Sequence, residues 1–548
     1  MRLLLLAGML STRLALRLGA PIRAASGLHR PGAAVRTSAV VCRAAGRAGS
    51  YAGDTIFALS SGRGVAGVAV IRVSGGEARS VLQSLLGDSK EPPVRYAGLR
   101  TLKCPNTGEA LDEAVVLRFE GPKSFTGEDI VELHVHGGAA TIEGVLDALS
   151  TTKARPAERG EFTRRAFQAG KLGVTEVEGL ADLLCAESQQ QRRQALSVMG
   201  GRQAALYDRW RAELVSCRAW AEAAVDFGDD TEGDVDATAL TGADGGVLDR
   251  VRMLRGELRD ALRDGVRGEA VRDGVRVVLA GAPNAGKSSV LNALAGRDAA
   301  IVSAEAGTTR DVVEVAMKLG GLPVLLFDTA GLRENAEDAA RTVGAIEAEG
   351  IRRTQAAAQK AHVVVFVIDA SEAAVAREAT VALELLKGAL RVEPQPHLVV
   401  LANKADVGRT VVSSAQDLRE LCETPIDADI FAALNAAPWL QVSATQQTGL
   451  DAVVSHLDET VARLFGGDSD TASPRQLLSD APAITRARHR YHVENALEAL
   501  DSALQMDLAT ELRAEELRTA SVELGRVVGA IDVENVLDVL FRDFCIGK

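Results

Sequence analysis

Aromatic residues are scarce in this chain of 548 amino acids: Phe, Trp and Tyr together make up 3%. That argues against a domain that reads single strands by stacking bases on exposed rings. Cysteine is also rare. The six cysteines (42, 104, 185, 217, 422 and 545) form no CxxC pair, so no disulfide framework is encoded and a reducing compartment fits. No apolar run approaches the roughly 18–20 residues needed to cross a bilayer, which excludes an integral membrane protein. Positive charge is in deficit, with 62 Lys and Arg against 74 Asp and Glu. Any nucleic-acid contact must therefore be a local patch and not the whole surface. What is present is an ordinary globular balance, 47% apolar and 25% charged, at a length that suggests about three or four domains.

The charge is unevenly distributed. Residues 1–53 contain eight arginines, no lysine and no acid, and without them the net charge of −12 becomes −20. Such an Arg-rich, acid-free stretch of Ala, Gly, Leu and Ser/Thr reads as an organellar transit peptide over 1–50, with a secretory signal around Leu3–Leu10 or a disordered tail as the other readings. Val40–Ala44 has the look of a plastid-type processing site, so plastid stroma is slightly favoured over mitochondrial matrix. Residues 54–169 mix β-branched runs with two short helical segments, the pattern of an α+β domain. Residues 170–271 are helical, with Trp210, Leu214, Cys217 and Trp220 at three- and four-residue steps. Residues 272–467 alternate strands (Val275–Ala280, Val324–Phe327, Val363–Ile368, Leu398–Ala402) with helices, and 470–548 return to helix. The fold class expected is multidomain α/β and α: an α/β domain inserted into a helical domain whose halves, 170–271 and 470–548, flank it.

Strand Val275–Ala280 runs into Gly281-Ala-Pro-Asn284-Ala285-Gly286-Lys287-Ser288-Ser289 and then an apolar-periodic helix. This is the phosphate loop GxxxxGKS in its required strand–loop–helix setting: backbone N–H groups turn inward around phosphates and the helix N-terminus adds its positive end. Lys287 is placed to reach the β- and γ-phosphates and Ser288 to hold Mg²⁺. Asp328-Thr329-Ala330-Gly331 closes the next strand, where the carboxylate can order Mg²⁺ and the glycine N–H can sense the γ-phosphate. Asn403-Lys404-Ala405-Asp406 closes Leu398–Ala402, and one carboxylate there can accept both the N1–H and the 2-amino group of guanine. Adenine offers neither, so Asp406 selects GTP over ATP. Ser443-Ala444-Thr445, after Leu440–Val442, can offer a backbone N–H to guanine O6. Order and spacing together describe a Ras-like GTPase domain.

The hydrolytic machinery departs from the Ras pattern. The position after Gly331, often a glutamine that orients the attacking water, is Leu332. Catalysis must come from another carboxylate, a partner's arginine or a metal ion. Ser303-Ala-Glu305-Ala-Gly-Thr308-Thr309 occupies the switch I position, with Thr309 completing the Mg²⁺ shell. The amide oxygen of Asn284 is placed to hold a monovalent cation beside the nucleotide, or else stabilises the loop turn.

Flanking motifs carry a specific resemblance: Asp54-Thr-Ile, Gly67–Gly75, Ser124–Asp129, His136-Gly-Gly, Gly160-Glu-Phe, Gly170-Lys171, Ala223–Phe227 and the terminal Phe544-Cys545-Ile-Gly-Lys548. From about Asp54 to Lys548 the chain resembles the MnmE (TrmE) family of GTPases that modify the wobble uridine of tRNA. The resemblance implies a homodimer whose N-terminal domains bind 5-formyl- or methylene-tetrahydrofolate, and a complex with an FAD-dependent MnmG-type subunit that installs an aminomethyl or carboxymethylaminomethyl group at C5 of U34. Arg72, Glu132 and Lys171, with Lys548, fall on the folate contacts. A pterin edge needs a carboxylate and its glutamate tail needs cations. Cys545 matches the family's terminal cysteine, a nucleophile or a plain small thiol. The family's GTPase is K⁺-stimulated, with K⁺ held by Asn284 and by Ser303, Glu305 and Thr308 on the switch I side. Its water-positioning glutamate lands on Glu347. The stretch between Gly331 and Gly350 is longer than the usual pattern, so Glu349 and Glu337 stand beside it. A ribosome-assembly GTPase shares such a nucleotide domain but usually adds a basic RNA-binding appendage, and here the flanks are acidic. A non-catalytic helical adaptor with a nucleotide switch is the third reading, separated by whether residues 54–169 bind folate.

Overall fold

Two β-sheets of opposite character organise the chain. The computed structural model describes residues 53–62, 64–228, 246–282, 284–296, 300–301, 315–328, 361–370, 383–384, 386–388, 390, 395–407, 412–422, 425–465, 482–505, 509–529, 537, 541, 544 and 547. The leader expected over 1–50 and residues 466–481, which join the second sheet's domain to the last helices, lie outside them.

The first sheet contains β1 (Thr55–Leu59), β2 (Ala66–Ser74), β3 (Gly98–Lys103), β4 (Ala110–Phe119), β5 (Ile130–Gly137) and β6 (Ala154–Pro156), in the order β3-β4-β5-β2-β1-β6. Only the β1–β6 pair is parallel. Its residues alternate as a one-face-buried sheet should. Ile71, Val73, Val116, Leu133 and Val135 pack under α1 (Ala78–Leu86) and α2 (Ala139–Ser150), while Arg72, Glu132 and His134 point to the other face. A third helix, α3 (Glu161–Gln168), corrects the expectation of two. Its sequence is short and polar, so periodicity alone does not reveal it; Phe162 and Ala166 are its fully buried apolar residues, beside the buried Glu161, Thr163 and Arg165.

Next come α4 (Val174–Cys185), α5 (Gln189–Met199), α6 (Arg202–Gly228) and α7 (Val247–Asp273). Ser188 starts α5 in a capping box: its hydroxyl accepts the Gln191 N–H, and the Gln191 side chain reaches back to the cap backbone.

The second sheet contains β7 (Val275–Ala280), β8 (Ala300–Ile301), β9 (Val315–Leu319), β10 (Leu322–Asp328), β11 (Val363–Asp369), β12 (His397–Asn403) and β13 (Trp439–Gln441). The order is β13-β12-β11-β7-β10-β9-β8, with the first five parallel. Helices cover both faces: α8 (Lys287–Ala295) and α11 (Leu450–Phe465) on one, α9 (Ala415–Leu421) and α10 (Ala428–Ala436) on the other. Burial on both sides explains why these strands read as unbroken apolar runs. β13 ends one residue before the expected Val442.

After the second sheet come α12 (Ala487–Ala503) and α13 (Thr510–Val527). Tyr207, Trp210, Leu214 and Cys217 of α6 share one core with Val251 and Leu258 of α7, Val493 and Leu500 of α12, and Leu517 and Leu524 of α13. Trp220 departs from the expected face: it is 56% exposed, and its neighbour Ala221 is the residue that buries.

Candidate functional site

Five parallel strands put their C-terminal ends on one edge of the second sheet, and β7 has β10 on one side and β11 on the other. Strand order reverses there, the place where open α/β sheets hold ligands. The Gly281–Ser289 loop leaves β7 at this point and its last residues open α8. The chain folds tightly enough that Val290 N–H donates to the Gly286 carbonyl and Asn284 takes a left-handed φ of 67°. Gly286, at φ 93°, caps α8; a Cβ there would collide with the Asn403 amide, so glycine is required both by conformation and by space.

Lys287 is buried, and its ammonium donates to the carbonyls of Gly281 and Ala282 at 3.1 and 2.8 Å. It thus spans the loop from within. Asn403 joins three segments. Its Nδ2–H donates to the Ala285 carbonyl at 2.9 Å, and its Oδ1 accepts the Ala444 N–H at 3.2 Å. The Gly281–Ser289 loop and the Asn403–Asp406 and Ser443–Thr445 segments are therefore one cross-linked piece. Lys404 has a left-handed φ of 62° and is held at 2.5 Å by Asp369, the final residue of β11. Asp406 is exposed at the rim, with no hydrogen bond or ion pair among the described residues. Ser443 N–H is taken by the Thr448 carbonyl and Ala444 N–H by Asn403, which of the three leaves Thr445 N–H at the rim. The side chains of Asn284, Ser288 and Ser289 are exposed on the same loop.

The backbone of Asp328 ends β10, paired with Leu279 of β7. Thr329, Ala330, Gly331, Ser303, Glu305, Thr308, Thr309, Glu347, Cys545 and Lys548 lie outside the described residues, as do Glu337 and Glu349. Asp369 was missed in the sequence. The available signal is a lone carboxylate at the end of an otherwise apolar strand, on the edge where the other motifs sit.

The first sheet gathers the other expected group. Cross-strand register puts Arg72 of β2 opposite Glu132 of β5. The guanidinium donates twice to one carboxylate oxygen, at 3.0 and 2.9 Å, and lies between the Phe125 and Phe162 rings. His134 stands 3.6 Å from the second oxygen, beyond hydrogen-bond length. The imidazole and Arg72 hold the Glu132 carboxyl below the usual carboxylate range against its partial burial. Lys171 is exposed and donates to the Pro122 carbonyl at 2.5 Å.

Behind this pair a buried ionic brace unites the flanking motifs. Arg165 donates to the Asp54 carbonyl, Glu128 and Glu161, and Ser74 donates to Glu128 at 2.8 Å. Burial alone would raise the Glu161 carboxyl, but Arg155, the Glu158 N–H and Arg165 outweigh it and hold it low.

Two family models match the chain: the TrmE N-terminus over residues 55–171 and the MnmE helical domain over 174–545. The human mitochondrial protein called 5-taurinomethyluridine-[tRNA] synthase subunit GTPB3 is 42% identical over 511 residues, covering 92% of this chain and 96% of its own. The chain belongs to the MnmE/TrmE family. Other members include the Rattus norvegicus GTPB3, 42% identical over 90% of this chain and 94% of its own. The tRNA modification GTPase MnmE of Parvibaculum lavamentivorans is 42% identical over 90% of this chain and its full length. The MnmE/TrmE match runs through both sheets and both helical stretches, so it takes in the phosphate loop and the Arg72–Glu132 pair alike. Among the described residues no helix is long and apolar enough to cross a membrane.

Proposed function

We propose that this chain is the GTP-hydrolysing component of a tRNA wobble-uridine modification system, acting with a tetrahydrofolate one-carbon donor and an FAD-dependent MnmG-type subunit. The observation that carries the nucleotide half is the Asn403 bridge, which joins the phosphate loop to the guanine-reading segments at a strand-order reversal. Lys287 would exchange its loop carbonyls for the β- and γ-phosphates, and Asp406 would read the guanine edge. Ser288, Thr309 and Asp328 are hard oxygen donors of the kind Mg²⁺ prefers, and the bound ion would neutralise phosphate charge. Asn284, exposed in its left-handed turn, would hold K⁺ with Ser303, Glu305 and Thr308. With Leu332 unable to orient water, Glu347 is assigned that task.

The folate half rests on Arg72, Glu132 and Lys171, with Lys548 and with Cys545 as candidate nucleophile. The proposed layout is an N-terminal folate-binding and dimerisation domain at 54–169, a helical domain from 170–271 and 470–548, and a Ras-like GTPase domain at 272–467. The core shared by α6, α7, α12 and α13 supports it. Relatives named as mitochondrial support an organellar site of action. Mass spectrometry of wobble nucleosides in organellar tRNA after depletion of the protein tests the whole reading: loss of a C5 substituent at U34 is expected, and an unchanged nucleoside profile would overturn it. GTP turnover should also rise in K⁺ over Na⁺; equal rates remove the Asn284 cation.

A further inference from the structure

The chain enters the second sheet from α7 and returns to the helical core at α12, and both connections are gripped by one helix. Arg272, in the last turn of α7 and three residues before β7, donates to Oδ1 of Asp182 at 3.0 Å. Arg486, just ahead of α12, donates to the same oxygen at 2.6 Å. One turn earlier on α4, Glu178 accepts Arg488 through both oxygens at 2.6 and 2.8 Å and His489 at 2.9 Å. The connections also lie directly on each other: Gly268 of α7 leaves just enough room for the Ile484 backbone, and any Cβ there would collide with its carbonyl. Side chains of α5 add to the grip, Gln191 bonding the Arg272 carbonyl and Gln194 that of Gly268.

The same α4 reaches the first sheet. It starts three residues after Lys171, which bonds Pro122 between β4 and β5, and its Val174 and Val177 pack against Leu537, Phe541 and Phe544. The chain beyond that cluster returns to β1, where the Ser60 hydroxyl donates to the Gly547 carbonyl at 2.8 Å. A 12-residue helix, about 18 Å of rigid rod, thus runs between the root of the second sheet and the face carrying Arg72 and Glu132.

We propose that Asp182 is a positioning residue that transmits nucleotide state from the root of β7 into α4 and so toward the first sheet. This rests on reading the Gly281–Ser289 loop as a guanine-nucleotide site. Coupling needs an element with two arrangements, and Arg272 supplies one. Its Nη1 already donates to Asp273 at 2.7 Å, so it can release Asp182 without losing a carboxylate. Arg486 would then hold Asp182 alone. Glu178, held by Arg488 and His489, is the pivot of the rigid helix, so a change at its Asp182 end is carried to its Val174 end. Asp182 lies at the far end of β7 from the phosphate loop, about 20 Å along a six-residue strand, so nucleotide contacts themselves are untouched.

The test is hydrogen exchange of full-length protein, following amides of Val174–Cys185 with GDP and with a non-hydrolysable GTP analogue. In the wild type the two states should differ about fivefold or more in α4 exchange, the low end of common coupling free energies. Asp182→Asn should abolish that difference while leaving affinity for both nucleotides within about twofold, and Asp182→Glu should restore it. Should Asp182→Asn fail to fold, Arg272→Gln, which keeps the Asp182–Arg486 and Glu178 contacts, carries the same expectation. A nucleotide-dependent difference that survives in a folded variant overturns the proposal, as does a wild type that binds both nucleotides without any α4 response. A wild type that binds no guanine nucleotide overturns the proposed function itself.

Discussion

The two candidate sites of this protein are built from different materials. The nucleotide cradle is a backbone structure: the loop turns at Asn284 and Gly286, Lys404 holds a left-handed φ, and Asn403 bonds one main-chain carbonyl and one main-chain N–H. The face of the first sheet is a side-chain structure, in which Arg72, Glu132 and His134 are brought together across strands and partly satisfy one another. A backbone site keeps its shape when a side chain is changed, so substitutions remove single contacts. A side-chain site shares charges, so removing one partner exposes another. The comparison predicts separable losses in the first case and coupled losses in the second.

The largest effect should come from Lys287→Ala. It removes the one cation inside the loop and should weaken GDP and GTP binding on the order of a hundredfold, measurable with a fluorescent nucleotide. Unchanged affinity would take the loop out of the mechanism. Asp406→Asn should cost about tenfold or more in GTP affinity and gain xanthine nucleotides, because the amide reverses the donor pattern. Competition titration with XDP checks it, and wild-type preference would remove Asp406 from base reading.

Gly286→Ala breaks the comparison from the other direction, since it damages backbone shape. The new methyl displaces Asn403, and the residue is held at φ 93°, so a stability loss of about 1–3 kcal/mol should accompany weaker binding. Thermal unfolding with and without nucleotide separates the two. On the first sheet, Glu132→Gln and Arg72→Gln should each reduce folate affinity about tenfold and behave non-additively together, with GTP turnover unchanged. Additive losses by calorimetry would mean that the pair does not act as one unit.

The effect that is smallest at neutral pH, and grows only in acid, lies at the foot of the second sheet. Burial, aided by Arg276, pushes the His362 imidazole down from 6.5 to about 4, and its Nδ1 accepts the Arg276 N–H at 2.9 Å. Between those two values the unfolded chain takes up a proton that the native ring refuses. Stability is therefore full above about pH 6.5 and falls as pH drops toward 4. His362→Gln should flatten that part of the stability–pH curve in denaturant titrations.

Much of the cradle was legible because its parts are local. A phosphate loop is nine consecutive residues with a helix behind it, and β7 begins and ends at the residues expected, Val275 and Ala280. The parallel strands were legible because two-sided burial leaves no polar alternation. The Arg72–Glu132 pair was reachable through family resemblance alone, because the residues stand sixty positions apart and meet only through the β2–β5 register. Trp220 misled because helical spacing marks a face but not its limits. The buried face of α6 runs through Trp210, Leu214, Cys217 and Ala221, which leaves the indole outside.

What the sequence by itself determined is the local chemistry: where glycine permits a turn, where a lysine ends a loop, which carboxylate follows a buried strand. Those follow from short-range sterics and hydrogen bonding, which act over a few residues. Tertiary structure alone decided which distant groups share an oxygen or a core, as Arg272 and Arg486 share Asp182 and α6 shares a core with α13. Such pairings depend on strand register and on how helix faces rotate as they pack, and these are settled by burying the largest apolar area at once, over the whole chain.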